Sequence, residues 1–266
     1  MSGFPPSTLT TASNDVTNNP MQPISTLPPA PQKEQAVQKM FTAIAHRYDL
    51  NNTLLSLGLH HSWKREAVRL SGAAEGDTVL DLCTGTGDLA VLLARQVGPR
   101  GQVIGLDLNE RMLDYGRKKI QRLRPNGNIT LLQGNAESLQ FCDRTFQIVT
   151  VAFGIRNVAD LPAALREMFR VLTPGGRAVC LEFSRPTSAP LRKLYDLYSF
   201  TLLPRIGRLV SHDQTGVYDY LPASIRAFPN QERLKALFEE SGFSPVSYRN
   251  LTSGIVAIHI GVKPPQ

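Results

Sequence analysis

The stretch Val79-Leu80-Asp81-Leu82-Cys83-Thr84-Gly85-Thr86-Gly87 constrains this chain more than any other. An apolar run that breaks into glycines and restarts as a periodic segment reads as a strand, a tight turn and a helix. Gly85 and Gly87 let the backbone bend and let a ligand approach it closely, while the helix aims its first N–H groups at the same point. The pattern then repeats. Thr78–Leu82, Gln102–Asp107, Ile129–Gln133, Phe146–Ala152 and Arg177–Phe183 read as strands. Between them lie three helical segments: Asp88–Val97, a stretch capped by Asn109 that runs to about Leu123, and one marked by Leu161, Leu165, Met168 and Leu172. The third is expected to stop at Pro174-Gly175-Gly176. Strands alternating with helices in this way specify a parallel sheet with right-handed crossovers. A last helix, Gln231–Ser241, and closing strands near Phe243–Arg249 and Ile255–Val262 complete a Rossmann-like α/β fold. Its sheet is expected to be mostly parallel, seven-stranded and flanked by helices.

Ahead of the first strand, Val37, Met40, Phe41, Ile44 and Tyr48 share one helix face, so folded structure is expected from near Gln35. Residues 1–34 are rich in Pro, Ser, Thr, Asn and Gln and hold no Lys or Arg before Lys33. They lack the basic start and apolar core of a signal peptide and the arginines of a transit peptide. They also bury too little apolar area to offset the entropy of ordering, and read as a disordered tail. The domain is then residues 35–266, with a proline- and aromatic-rich helical insertion at 186–229 that breaks the rhythm. No apolar run approaches the roughly 20 residues that span a bilayer. The net charge of +7 suits an anionic partner. The three cysteines, Cys83, Cys142 and Cys180, show no metal-ligand spacing and read as reduced thiols of a cytoplasmic protein.

Three positions point to S-adenosylmethionine as the cofactor. Asp81 lies in the strand just before the turn, where a carboxylate can meet a cationic amino-acid ligand. Ala90 stands where a dinucleotide fingerprint usually has its third glycine, a weaker sign because that fingerprint tolerates alanine. Asp107 closes the second strand, where it can accept hydrogen bonds from both ribose hydroxyls or, alternatively, cap the next helix. Gly134-Asn135-Ala136-Glu137 follows the third strand, where the adenine should lie. Asn135 either meets the base edge or simply forms the turn. The end of the fourth strand carries neither an Asn/Asp-Pro-Pro-aromatic turn nor a Pro-Cys pair, which lowers a nucleic-acid acceptor despite the basic charge.

Longer motifs resemble the ubiquinone/menaquinone C-methyltransferase family. They are Tyr48-Asp49-Leu50-Asn51-Asn52, Leu57-Gly58-Leu59-His60-His61-Ser62-Trp63-Lys64-Arg65, Asp81 through Asp88, Phe153-Gly154-Ile155-Arg156-Asn157-Val158 and Leu181-Glu182-Phe183-Ser184. Tyr198-Ser199-Phe200 with Leu203-Pro204, Tyr220-Leu221, Ser224-Ile225-Arg226, Phe228-Pro229 and Leu251-Thr252-Ser253-Gly254 with His259 extend the match from about residue 35 to the C-terminus. The resemblance implies cofactor contacts at Thr86, Asp107, Asn135 and Ala136. At Ala152, where some members have a serine, only a backbone contact is left. It implies methyl transfer to a ring carbon of a polyprenylated quinol, and Cys83 tilts the acceptor toward a naphthoquinol.

Such a reaction needs electron density at the ring carbon, and so a base or a cation near a ring hydroxyl. It needs no metal, since a sulfonium is already activated. Arg156 is the first candidate to stabilise a phenolate, against a structural ion pair. Asn157 is placed to hold the second hydroxyl, against a helix cap. Tyr48 is placed to close over the methionine end of the cofactor, against a core role. His60 and His61 read as structural before catalytic. The prenyl tail points to the insertion, where Leu191, Leu194, Leu197, Tyr198, Leu202 and Leu203 run beside Arg192, Lys193, Arg205 and Arg208. That mixture suits the inner face of an anionic membrane, with a lid on the sheet as the alternative. A homodimer stays open.

Overall fold

The computed structural model describes residues 30–123, 125, 128–197 and 217–265. Strands β1 (Thr78–Leu82), β2 (Gln102–Asp107), β3 (Asn128–Gln133), β4 (Phe146–Ala152) and β5 (Leu172–Phe183) grow from the apolar runs. With β6 (Val246–Leu251) and β7 (Val256–Val262) they form one sheet of order β3-β2-β1-β4-β5-β7-β6. Strands β1 to β5 are parallel, and β7 runs antiparallel to both β5 and β6.

Alternation along the central strands sorts their side chains onto two faces. Val79, Val103 and Ile148 pack with α4 (Asp88–Val97) and with Val68 of α3 (Leu59–Ser71). Leu80, Leu82, Val149 and Val151 pack against α6 (Leu161–Val171) and α9 (Gln231–Glu240). Burying one such side chain is worth about 1.5–3 kcal/mol, so these two layers dominate stability. The chain runs outward from β1 through β2 to β3 and then returns to lay β4 on the other side of β1. The carboxyl ends of β1 and β4 therefore part at a switch point, where open α/β sheets bind their ligands.

Helix α5 (Glu110–Leu123) is capped as the sequence predicts, the Asn109 side chain accepting from Met112 N–H at 3.1 Å. Helix α6 ends one residue before the expected Leu172. That residue is extended (φ −72°, ψ 141°) and pairs with Phe146 of β4, one residue ahead of the Thr173-Pro174 step where helical backbone is disfavoured. The glycine turn expected to separate helix from strand is instead an irregularity inside β5, whose register on β4 jumps between Leu172 and Arg177. Strand β6 starts later than expected because Phe243, 1% exposed, is buried among Phe169 and Phe238.

Helix α1 (Ala30–Ile44) starts ahead of Gln35 and leads through Ala45–Arg47 into α2 (Tyr48–Leu55) across the crevice. Two contacts hold it. The Lys33 ammonium donates to the carbonyls of Arg156 (2.9 Å) and Val158 (2.7 Å). The Asn109 amide donates to Gln38 O and Thr42 Oγ1. The region after β5 contains α7 (Ala189–Leu197) and α8 (Val217–Ala227). Expectations for residues 1–29, for Tyr198, Leu202, Leu203, Arg205 and Arg208, and for the Leu194 side chain fall outside what is described. No helix among the described residues is long and apolar enough to cross a membrane.

Candidate active site

The turn after β1 needs left-handed backbone at Cys83 (φ 51°), Gly85 (φ 58°) and Gly87 (φ 78°). Only glycine adopts it without strain, which explains the spacing. A second turn, Phe153-Gly154 after β4, packs directly on it. A Cβ at Gly154 would lie 2.3 Å from that of Cys83, so no larger residue fits without displacing the turn.

Beneath and beside the turn lies a cleft with two lobes, a large one of about 510 Å3 and a small one of about 90 Å3. Both are lined by Phe41, Tyr48, Cys83, Gly85 and Phe153. The large lobe brings together Asp81, Thr86, Ala152, Tyr48 and Arg156. The small lobe brings together Asp107, Asn135, Ala136 and Asn157. Gly87 lines neither lobe; its conformation serves the turn that opens α4.

Asp81 is 1% exposed and accepts hydrogen bonds from the Thr84 (2.6 Å) and Thr150 (2.8 Å) hydroxyls, the latter placed by the β1–β4 register. Burial drives its pKa up to about 6, and no cation is paired with it among the described residues. A buried acid of this kind suits a ligand ammonium. Asp107 accepts from the Gly85 and Asn109 N–H groups, both at 2.8 Å, and burial raises its pKa against those bonds. Asp107 lines the small lobe, and a carboxylate has acceptor capacity beyond these two bonds. Asn135 forms the turn through its side chain, accepting from Glu137 N–H at 2.9 Å, and still lines that lobe.

Thr86 spends its hydroxyl on a charged network. It donates to Asp49 at 2.6 Å and accepts from Lys119 at 2.8 Å. Lys119 also pairs with Asp49 and with Asp88 (2.6 Å), and Lys64 pairs with Asp88 at 2.8 Å. Burial works against the Asp88 carboxylate, but the two ammonium groups outweigh it and hold its pKa far below the ordinary range. Asp49 belongs to α2, so the network pins the N-terminal helices onto the glycine turn.

Arg156, its side chain 7% exposed, is paired with Glu182 (2.8 Å), whose own side chain is 2% exposed. The same Nη1 donates to Phe153 O. Burial raises the Glu182 pKa, with Arg156 opposing it. The Asn157 side chain accepts from the Tyr220 hydroxyl at 2.9 Å. Tyr48 stands where the lobes meet, edge-on to Phe41, and burial raises its phenol pKa. Trp63, Phe153 and Phe183 form an aromatic wall, with the Trp63 indole donating to Thr252. His60 is buried in the large lobe, whereas His61 is exposed. His259 is buried against Phe238 in neither lobe.

In the sequence, Glu182, Lys64 and Asp49 stand out only as members of longer motifs, and Lys119 carries no sign of its role. Glu182 had a legible sign, a carboxylate in the apolar run Val179-Cys180-Leu181-Glu182-Phe183. The network had none, since its members are distant in sequence.

A seven-stranded sheet with this switch point, glycine turn and pair of strand-end acids defines an S-adenosylmethionine-dependent methyltransferase of the Rossmann-like class. The model of the ubiE/COQ5 methyltransferase family matches residues 30–263, and the chain belongs to that family. The ubiquinone/menaquinone biosynthesis C-methyltransferases UbiE of Escherichia fergusonii and Cronobacter sakazakii are each 50% identical over 232 residues, 87% of this chain and 92% of theirs. Among solved structures, a methyltransferase of Thermotoga maritima superposes with a TM-score of 0.60 at 21% identity, covering 85% of this chain and 99% of its own. The [4+2]-cyclase SpnF superposes at 0.66 and 14% identity, covering 90% and 99%. At such identities the structures share the fold alone.

Proposed function

We propose that the protein methylates a ring carbon of a polyprenylated quinol in respiratory quinone biosynthesis; its relatives are named as C-methyltransferases of ubiquinone/menaquinone biosynthesis. The observation that carries this reading is the large lobe. It runs from Asp81, beside the glycine turn, past an aromatic wall to Leu57, Leu59 and Leu197, which are 87%, 43% and 58% exposed. An aromatic ring fits the wall, and an apolar chain can leave over the leucines.

When bound, S-adenosylmethionine supplies an electrophilic methyl group on a sulfonium. Asp81 holds the ammonium of its amino-acid part, and the backbone at Gly85 and Thr86 shapes the bed around it, on the turn that Gly87 completes. Asp107 accepts the ribose hydroxyls, Asn135 and Ala136 border the adenine, and Ala152 offers only backbone. Arg156, oriented by Glu182, keeps Nη2 free of protein hydrogen bonds among the described residues and turns it toward a ring oxygen. There its charge makes the hydroxyl more acidic and eases the loss of its proton. Asn157, oriented by Tyr220, holds the second hydroxyl. Tyr48 closes the methionine end and excludes water.

Labelled S-adenosylmethionine offered with demethylmenaquinol and with a demethylated benzoquinol tests the reading. Label is expected in one or both lipids, and label in neither overturns it.

The same leucines support peripheral contact with an anionic bilayer. Leu50 and Leu54, one helical turn apart on α2, add 58% and 49% exposure, and Arg47, Arg65 and Lys193 are exposed on neighbouring elements. Leu57 is also left-handed (φ 50°), a conformation disfavoured for its side-chain type. Exposed leucines beside basic residues suit a headgroup boundary. Leu57→Ser with Leu54→Ser is expected to lower co-sedimentation with anionic vesicles while turnover of a short-chain quinol is kept. Unchanged sedimentation removes the membrane reading.

A further inference from the structure

His60 stands in the first turn of α3, 4% exposed, and lines the large lobe together with Asp81, Ala152 and Arg156. Its Nδ1 is 2.7 Å from Ser56 Oγ, and Ser56 Oγ is 2.6 Å from the carbonyl of Asn52. A hydroxyl has one proton and a carbonyl can only accept. Ser56 therefore donates to Asn52 and accepts from Nδ1–H. The tautomer follows: Nε2 carries the lone pair. No described residue bonds Nε2, and the buried side-chain atoms left without a partner are Arg156 Nε, Ser184 Oγ and His259 Nδ1. Among the described residues Nε2 is thus an unbonded acceptor, and the cavity that His60 lines is the space beside it. Burial and the Lys64 ammonium, with the His61 ring 3.9 Å away, keep the imidazole neutral by holding its pKa near 4. Asp88 and Asp49 oppose this only weakly.

We propose that His60 Nε2 is the catalytic base that takes the proton of the quinol hydroxyl flanking the methylated carbon, a role that rests on the quinol reading above. As the ring carbon gives its electron pair to the methyl group, the bond from methyl to sulfur breaks and a neutral thioether leaves. Positive charge spreads onto the flanking hydroxyl, which becomes far more acidic than a free phenol. A weak base is then sufficient, and the proton passes from oxygen to Nε2. The ring C–H proton next leaves to water while the imidazolium returns its proton to the oxygen. One proton is released per methyl transferred, and His60 ends as it began. Ser56 is a positioning residue, because it fixes which nitrogen is free.

The experiment compares wild type with His60→Ala, His60→Gln and Ser56→Ala, using S-adenosylmethionine and a short-chain quinol. Glutamine can accept a hydrogen bond but takes no proton. His60→Ala and His60→Gln are expected to bind the cofactor within about threefold of wild type and to lose about 100-fold or more in kcat. Free imidazole should restore part of the His60→Ala turnover in proportion to its unprotonated fraction, which a purely structural role would not produce. Ser56→Ala should lower kcat less and leave KM unchanged. Wild-type kcat in His60→Gln, or a His60→Ala defect that ignores imidazole, overturns the proposal. If His60→Ala fails to bind cofactor, His60→Gln and Ser56→Ala decide, and wild-type kcat in both overturns it. Wild type inactive on every quinol would instead overturn the quinol reading.

Discussion

Asp81 and Asp107 are both strand-end acids, yet their surroundings give them different duties. Asp81 accepts from two hydroxyls and feels the Lys64 ammonium, yet burial holds its folded pKa at about 6, above the ordinary 3.8. An acid raised on folding adds stability below its ordinary pKa and loses it as pH climbs through the folded value, here between about 4 and 6. Asp81→Asn is accordingly expected to stabilise the ligand-free protein at pH 7.5 by up to about 3 kcal/mol, with the gain shrinking toward pH 5. The same change should weaken cofactor binding by about 1–3 kcal/mol. Thermal melts at the two pH values and calorimetric titration measure both. A ligand-free protein less stable at pH 7.5 would show that the carboxylate is no burden. Burial raises the Asp107 pKa too, but Asp107→Ala also strips the Gly85 and Asn109 N–H groups of their acceptor, so it should cost binding about 1–3 kcal/mol with no gain in stability. Unchanged affinity would remove its ribose role.

At the scale of elements, the contact that matters is α2 on the glycine turn. Lys119 reaches from α5 to Asp49 of α2 and Asp88 of α4, with Thr86 between them. Its side chain is 12% exposed but that of Asp49 is 44% exposed, so the link to α2 is partly screened by solvent. Lys119→Met is expected to cost about 1–3 kcal/mol in stability, less than a fully buried pair. It should also speed hydrogen exchange in Tyr48–Leu55 and raise the cofactor off-rate. Exchange unchanged in that helix would mean the network does not hold α2 closed. The elements themselves were largely legible. β1, α4, β2 and β4 have the bounds their apolar runs predict, because burial on both faces leaves a continuous signal. β5 and β6 depart from their local sequence signs where packing overrides them. Pro174-Gly175-Gly176 looks like a stop, yet Leu172 already pairs with Phe146.

For the molecule as a whole, we take residues 1–29 to be dispensable and α1 to be part of the site. Glu34, Val37 and Gln38 line the small lobe, and Lys33 ties the helix to the end of β4 through two carbonyls. A chain beginning at Ala30 is expected to match the full chain in melting temperature and cofactor affinity. Lys33→Met should lower that affinity while the sheet stays intact. If the shorter chain melts well below the full one, the tail contributes to the fold and the assignment fails.

The sequence by itself determined the alternation of strands and helices, the glycine turn, the two acids and the family. These depend on short spacings and on burial patterns that a linear chain displays. It left Arg156 suspended between a catalytic group and an ion pair, and Asn135 between ligand and turn former. Only the tertiary structure decided the company they keep: Glu182 beside Arg156, Tyr220 on Asn157, and Ser56 directing His60. Those partners come together because the sheet brings chain segments tens of residues apart to one switch point. The electrostatics of a buried group depend on what lies within a few ångströms in space, and periodicity along the chain does not record that.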